Sequence, residues 1–184
     1  MKVKLCMFIL MSICLAAVLA GCSGELVVPD DFAVKINFGL SEYDSENGRL
    51  VKETRPSGMW GNTLQDYTAK YFLTAEQKTK IYQMIMDMDF DSYPDNYNPC
   101  EGDETIPAYT VVLKIKHDGI EKEVSCHNIA SLNNSDYYQK NRPEFWENLP
   151  KESKDFIILH ETIIDMIRSS EEWKALPDYD VIIE

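Results

Sequence analysis

The sequence predicts an α+β fold, a small antiparallel sheet with two main helices packed on it. Three observations carry that expectation. An apolar residue recurs at every second position from Phe32 to Leu40, Asp118-Gly119 sits between two alternating stretches, and two amphipathic segments, 74–88 and 151–170, have helical spacing. The helical segments lie among separate strands and not in strict strand-helix-strand alternation, which favours an antiparallel over a parallel sheet.

Phe32, Val34, Ile36, Phe38 and Leu40 alternate with polar positions such as Lys35 and Asn37, the pattern of a half-buried strand. Ser45-Glu46-Asn47-Gly48 reads as a turn, after which Arg49 to Thr54 returns as a second strand. Thr74-Ala75-Glu76-Gln77 has the spacing of a capping box, so a helix should run from there to about Met88. On its wheel Ile81, Tyr82, Met84, Ile85 and Met88 share one face and Glu76, Lys80, Gln83 and Asp87 the other. The methionines read as core filling rather than a metal box.

The clearest hairpin joins Tyr109–Lys116 to Glu121–His127 through His117-Asp118-Gly119-Ile120, because Asp-Gly accepts the positive φ that a two-residue turn demands. That register sets Lys116 against Glu121, Lys114 against Glu123, Leu113 against Val124 and Val111 against Cys126. Opposite charges then line one face and apolar groups the other. Toward the C-terminus, Phe156, Ile157, Leu159, Ile163, Ile164, Met166 and Ile167 gather on one face of a helix from about Lys151 to Ser170. A final helical turn follows near Ser170, with Glu171 and Glu172 at its positive end, and stops before Pro177.

Residues 1–22 form an address. Lys2 and Lys4 precede an uncharged apolar run from Leu5 to Ala20, and Leu19-Ala20-Gly21-Cys22 closes it. A run of this length is shorter than the roughly 20 residues that span a bilayer. The segment resembles the lipobox of bacterial lipoprotein precursors. The resemblance implies a signal peptide over 1–21, cleavage before Cys22, and a diacylglyceryl group on its thiol with an N-acyl chain on the new amino terminus. It also implies residence on the outer face of the cytoplasmic membrane, or in the outer membrane of a diderm source. No other cofactor is expected. Residues 22–31 would then be the lipidated cysteine and a short tether, and 32–184 a single globular domain.

Removing Lys2 and Lys4 with the signal takes the formal charge from -13 to -15. Such an acidic chain argues against nucleic acid, whose phosphates call for Lys and Arg, and against a domain lying on anionic lipid. Solubility is the simplest account of the charge.

Candidate chemistry is sparse. With Cys6 and Cys14 in the signal and Cys22 lipidated, Cys100 and Cys126 remain, and outside the cytoplasm a disulfide is the first reading. Two inert thiols, or a metal site with His127, are the alternatives, although Cys126 and His127 should point to opposite faces of a strand. His160 lies within the apolar arc of the last helix, where it is either a base in a low-dielectric pocket or a core-edge histidine. No Gly-x-Ser-x-Gly motif is present, and Cys100 lacks the flanks of a thiol enzyme. The segment Asp89–Glu104 is rich in oxygen ligands, but a calcium loop started at Asp89 or Asp91 lacks the central glycine and the terminal glutamate at the required positions, so no metal site is assigned. Trp60, Tyr93 and Tyr97 stand among polar residues and could anchor a ligand or seal the core.

The span Lys80 to Pro94, Lys-Ile-Tyr-Gln-Met-Ile-Met-Asp-Met-Asp-Phe-Asp-Ser-Tyr-Pro, is similar to a segment of small uncharacterised surface lipoproteins of Gram-positive bacteria. That resemblance implies placement and no activity. The expectation from sequence is a lipid-anchored binding or interaction module at the cell envelope, meeting an envelope protein or glycan and no nucleic acid. An envelope hydrolase using His160 or an acidic-loop metal is the alternative.

Overall fold

The Asp118-Gly119 turn organises the sheet. Both residues hold positive φ, 49° and 75°, as a tight two-residue turn between twisted strands requires. The computed structural model of the chain describes residues 26–39, 41–54, 65–99, 109–129 and 134–177. In it the turn closes β6 (Tyr109–His117) onto β7 (Ile120–Ile129). The register is the expected one, with Lys116 opposite Glu121, Lys114 opposite Glu123, Leu113 opposite Val124 and Val111 opposite Cys126. The apolar members are buried. The ion pairs run on the diagonal instead of straight across: Lys114 reaches Glu121 at 2.8 Å, and Lys116 turns to Glu46 at 3.3 Å. Sheet twist brings diagonal neighbours within reach of long side chains.

The remaining strands are β1 (Ala33–Phe38), β2 (Ser41–Asp44), β3 (Arg49–Thr54), β4 (Gln65–Lys70) and β5 (Asn96–Tyr97). The sheet has seven strands in the order β4-β3-β2-β1-β6-β7-β5. Every pairing is antiparallel except β5 on β7, which is parallel. The first apolar run is shorter than its pattern suggests. β1 ends at Phe38, Gly39 takes φ 59°, and the chain reverses into β2. Gly48, at φ 69°, closes the next turn, and its carbonyl accepts from the Tyr71 amide at 2.9 Å.

Five α-helices occur among the described residues, where two main ones were expected: α1 (Ala75–Asp87), α2 (Asn134–Asn141), α3 (Pro143–Asn148), α4 (Lys151–Ser169) and α5 (Glu171–Lys174). The two long helices are the anticipated pair. α1 opens on a complete capping box, with Gln77 N donating to Thr74 Oγ1 and Thr74 N donating to Gln77 Oε1. Ile81, Tyr82, Ile85 and Met88 of this segment pack with Phe156, Leu159, Ile163, Ile164 and Ile167 of α4 and with the inner positions Val34, Ile36, Leu113 and Val124 of the sheet. A smaller cluster of Tyr138, Leu149 and Ile157, with Phe145 and Trp146 against it, holds α2 and α3 to α4.

Strand direction sorts the connections between two ends of the sheet. β1 begins beside Lys116, the β2–β3 turn follows Asp44 opposite Lys35, and the β6–β7 turn lies at the same end. Gly39, Thr54, Gln65, Tyr109 and Ile129 lie at the other. Residues 26–31, read from the sequence as tether, belong to the first end. Leu26 and Val28 pack against the core, and the Asp31 carboxylate accepts from the Asp118 and Gly119 amides at 2.9 and 2.8 Å. The Gly119 amide foremost holds that carboxyl below its usual range.

A Cβ at Gly119 would touch nothing within 4 Å, so substitution there tests backbone conformation alone. Gly119→Ala should destabilise the fold by about 1 to 2 kcal/mol, the cost of a left-handed L-residue. Urea denaturation with an unchanged m-value is the expected readout; an unaffected midpoint would contradict the turn geometry.

Candidate functional site

Of the aromatic residues singled out in the sequence, Tyr93 lies in the core and Tyr97 packs against it, partly buried. Asp89 takes φ 53° and a 3-10 turn, Phe90–Ser92, carries the chain back under α4. Tyr93 is therefore only 4% exposed, and its hydroxyl donates to the Glu152 carbonyl at 2.8 Å. Tyr97 is half-buried, edge-on to Tyr93 at 5.2 Å, with its hydroxyl 2.9 Å from Ser153 Oγ. Phe156 completes the cluster. These rings fasten the β5 segment to the start of α4, so Tyr93 is not available to a ligand and Tyr97 offers little surface. Trp60, Cys100 and the acidic positions 101–104 lie outside the described residues.

The histidines occupy three different environments. His160, on α4, is 1% exposed, and neither ring nitrogen has a hydrogen-bond partner among the described residues. Burial, and to a lesser degree the charge of Arg168, pushes its pKa from 6.5 down to about 3. A neutral imidazole sealed from solvent has no route for moving a substrate proton, which weakens the hydrolase alternative at this residue. His117 is also buried, at the end of β6, with Nε2 3.2 Å from Asp91 and Nδ1 3.6 Å from Asp118. His127 is exposed, its Nδ1 3.2 Å from Thr110 Oγ1. Cys126, its neighbour, is buried on the opposite face, as alternation along a strand dictates. No group of three or more His, Cys, Asp or Glu able to hold a metal occurs among the described residues. Within the acidic segment Asp91 faces His117, and Asp95 pairs with Lys122 at 2.7 Å.

A cleft with ligand-sized dimensions lies elsewhere, between the start of α1 and the junction of α4 with α5. Its volume is about 530 Å³, and its walls include Tyr71, Gln77 and Lys80 on one side and Asp165, Ser169 and Glu172 on the other. Local sequence shapes both walls. Thr74 caps α1, while Ser170 breaks α4 and caps α5 by accepting from the Trp173 amide at 3.1 Å. Tyr71 is locked in place: its hydroxyl donates to Gln77 Oε1 at 3.1 Å, and its carbonyl accepts from the Tyr43 hydroxyl at 3.2 Å. Burial raises the Tyr71 phenol above its ordinary pKa, so it serves as a neutral hydrogen-bonding group. The lining combines hydroxyls, an amide, a lysine and carboxylates, a set suited to holding a polar ligand. Sequence reading missed this site. The capping box at Thr74 and a helical turn starting near Ser170 were legible separately, but nothing in a single sequence brings them to one cleft. No protein-family model matches the chain, and no curated protein matches it significantly.

His160 yields a pH test. Its folded pKa is depressed, so the stability it contributes is complete above pH 6.5 and is lost as pH falls from 6.5 toward about 3. The slope is at most about 1.4 kcal/mol per pH unit. His160→Leu should remove that component: relative to the parent, the variant should gain roughly 2 kcal/mol between pH 7.5 and pH 5. Parallel stability profiles for the two proteins would contradict the buried neutral imidazole.

Proposed function

We propose that the chain is a bacterial lipoprotein, acylated at Cys22, that works on the outer face of the cytoplasmic membrane, or in the outer membrane of a diderm source, as a binding module. The observation that carries the placement is Leu19-Ala20-Gly21-Cys22 after a short apolar run. Cleft geometry supports binding. Its volume falls within the roughly 300 to 1,000 Å³ of small-ligand sites, and its polar walls fit a hydroxyl-rich ligand such as an envelope glycan, or a polar segment of an envelope protein. No histidine or cysteine is among the described residues that line it. Trp60, between Gly58 and Gly61, supplies a second contact in this reading.

The anchor and the ligand site are tested on the full chain in its own cells. Cys22→Ala should abolish incorporation of labelled palmitate and leave an unprocessed or shed protein; undiminished labelling would remove the basis for the anchor. Partner capture should fail for Lys80→Ala combined with Asp165→Ala while the fold stays cooperative. Loss with Trp60→Ala alone would transfer recognition to the segment around Trp60, and capture unaffected by either change would overturn the binding reading.

The disulfide between Cys100 and Cys126 belongs to the same extracytoplasmic proposal. In the parallel β5–β7 pair Tyr97 lies beside Cys126, and position 100 follows three residues later, within about 10 Å of extended chain. Protein taken directly from the envelope and denatured without reductant should show no free thiol. Two titratable thiols would reject the bridge.

A further inference from the structure

The chain between the lipid and the folded protein is much shorter than its sequence suggests. A tether over 22–31 would reach about 30 Å and leave the domain free to turn. The fold instead engages the chain from Leu26 onward. Leu26 and Val28 pack against the core, and the Phe32 amide donates to the Pro29 carbonyl at 3.0 Å. Asp31 is held by both amides of the β6–β7 turn. Phe32 is buried edge-on to Tyr82 at 5.4 Å, and the Tyr82 hydroxyl donates to Asp118 at 3.3 Å, closing a ring of contacts around the turn. Only the four steps from Cys22 to Leu26 remain, a span of at most about 14 Å. Of this the headgroup layer takes roughly 5 to 8 Å, half the difference between the whole bilayer and its hydrocarbon core.

We propose that this clasp fixes the orientation of the protein on its membrane, with the Asp118-Gly119 turn against the outer leaflet and the opposite end of the sheet directed away from it. The proposal rests on the lipidation of Cys22. Three exposed apolar side chains lie at the clasped end: Val27, 79% exposed, Ile120, 49% exposed and first in β7, and Phe72, 61% exposed beside Gly48 of the β2–β3 turn. Val27 and Ile120 are placed to enter the headgroup zone. The net acidic charge provides no attraction to anionic lipid, so contact is imposed by the short reach and not by electrostatics. His127, exposed on the same strand, lies about 23 Å farther along it at roughly 3.3 Å per residue and would stand clear of the lipid.

The test uses the full-length protein in membranes of its own cells, with a photo-crosslinking benzophenone residue replacing Val27, Ile120 or His127 in turn. Lipid adducts should form at 27 and 120 and fall to background at 127. Eight flexible residues inserted between Cys22 and Leu26, adding roughly 26 to 29 Å of reach, should abolish the adduct at 120 while labelled palmitate still enters Cys22. Adducts at 127 equal to those at 120, or none at 120 in a palmitate-labelled protein, would overturn the orientation and leave the anchor standing. Absence of palmitate from Cys22 would overturn both.

Discussion

A two-residue turn at Asp118-Gly119 is the constraint on which the rest of the structure depends. It leaves β6 and β7 one register, in which Val111, Leu113, Val124 and Cys126 all face the helices. A slip of one residue would turn Lys114, Lys116 and Glu123 inward, and each unpaired buried charge costs several kcal/mol. Turn chemistry and charge placement therefore exclude the same error. The turn also acts beyond its hairpin. Its amides, which a hairpin leaves free, bind Asp31, and β1 begins two residues later in register with β6. β2 and β3 then add in sequence, so one left-handed dipeptide sets the position of most of the sheet.

Elements stabilised by their own periodicity or caps were legible in the sequence. The β6–β7 register, the capping box of α1, the buried face of α4 and the start of α5 near Ser170 all follow from local residue patterns. Elements that depend on distant partners were not. α2 is polar, with Tyr138 buried, and its first turn is held by Glu161 of α4, which accepts from the Ser135 amide at 2.7 Å. α3 has proline at its first position and gains from Phe145 packing on Tyr138 at 5.0 Å. β5 spans two residues and is defined by the strand it joins. The alternation of β1 continues in sequence to Leu40, which lies outside the described residues, but the strand itself ends at Phe38, before the left-handed Gly39.

The candidate site divides along the same line. His160 could be placed within the apolar arc of its helix from spacing alone, and the structure puts it in the core. Tyr93 could not, because its surroundings in sequence are polar and its hydroxyl partner, Glu152, lies 59 residues away. What buries it is the left-handed Asp89 and the 3-10 turn after it, whose buried Phe90 stacks on Tyr93 and Phe156. The cleft is a similar case: each wall begins at a legible helix start, while its existence depends on the crossing of α1 with the end of α4.

Strand polarity gives the molecule two unlike ends. One is tight, made of two short turns and the clasped segment 26–31. At the other, Thr54 and Gln65 flank residues 55–64, and Tyr109 and Ile129 adjoin the longer connections. The cleft is not confined to the second end, since its Tyr71 wall follows Lys70 and is bonded to Gly48 of the β2–β3 turn, at the tight end. Under the proposed anchoring, attachment through the tight end would spend orientational freedom once, and each later encounter would then carry less of that entropic cost.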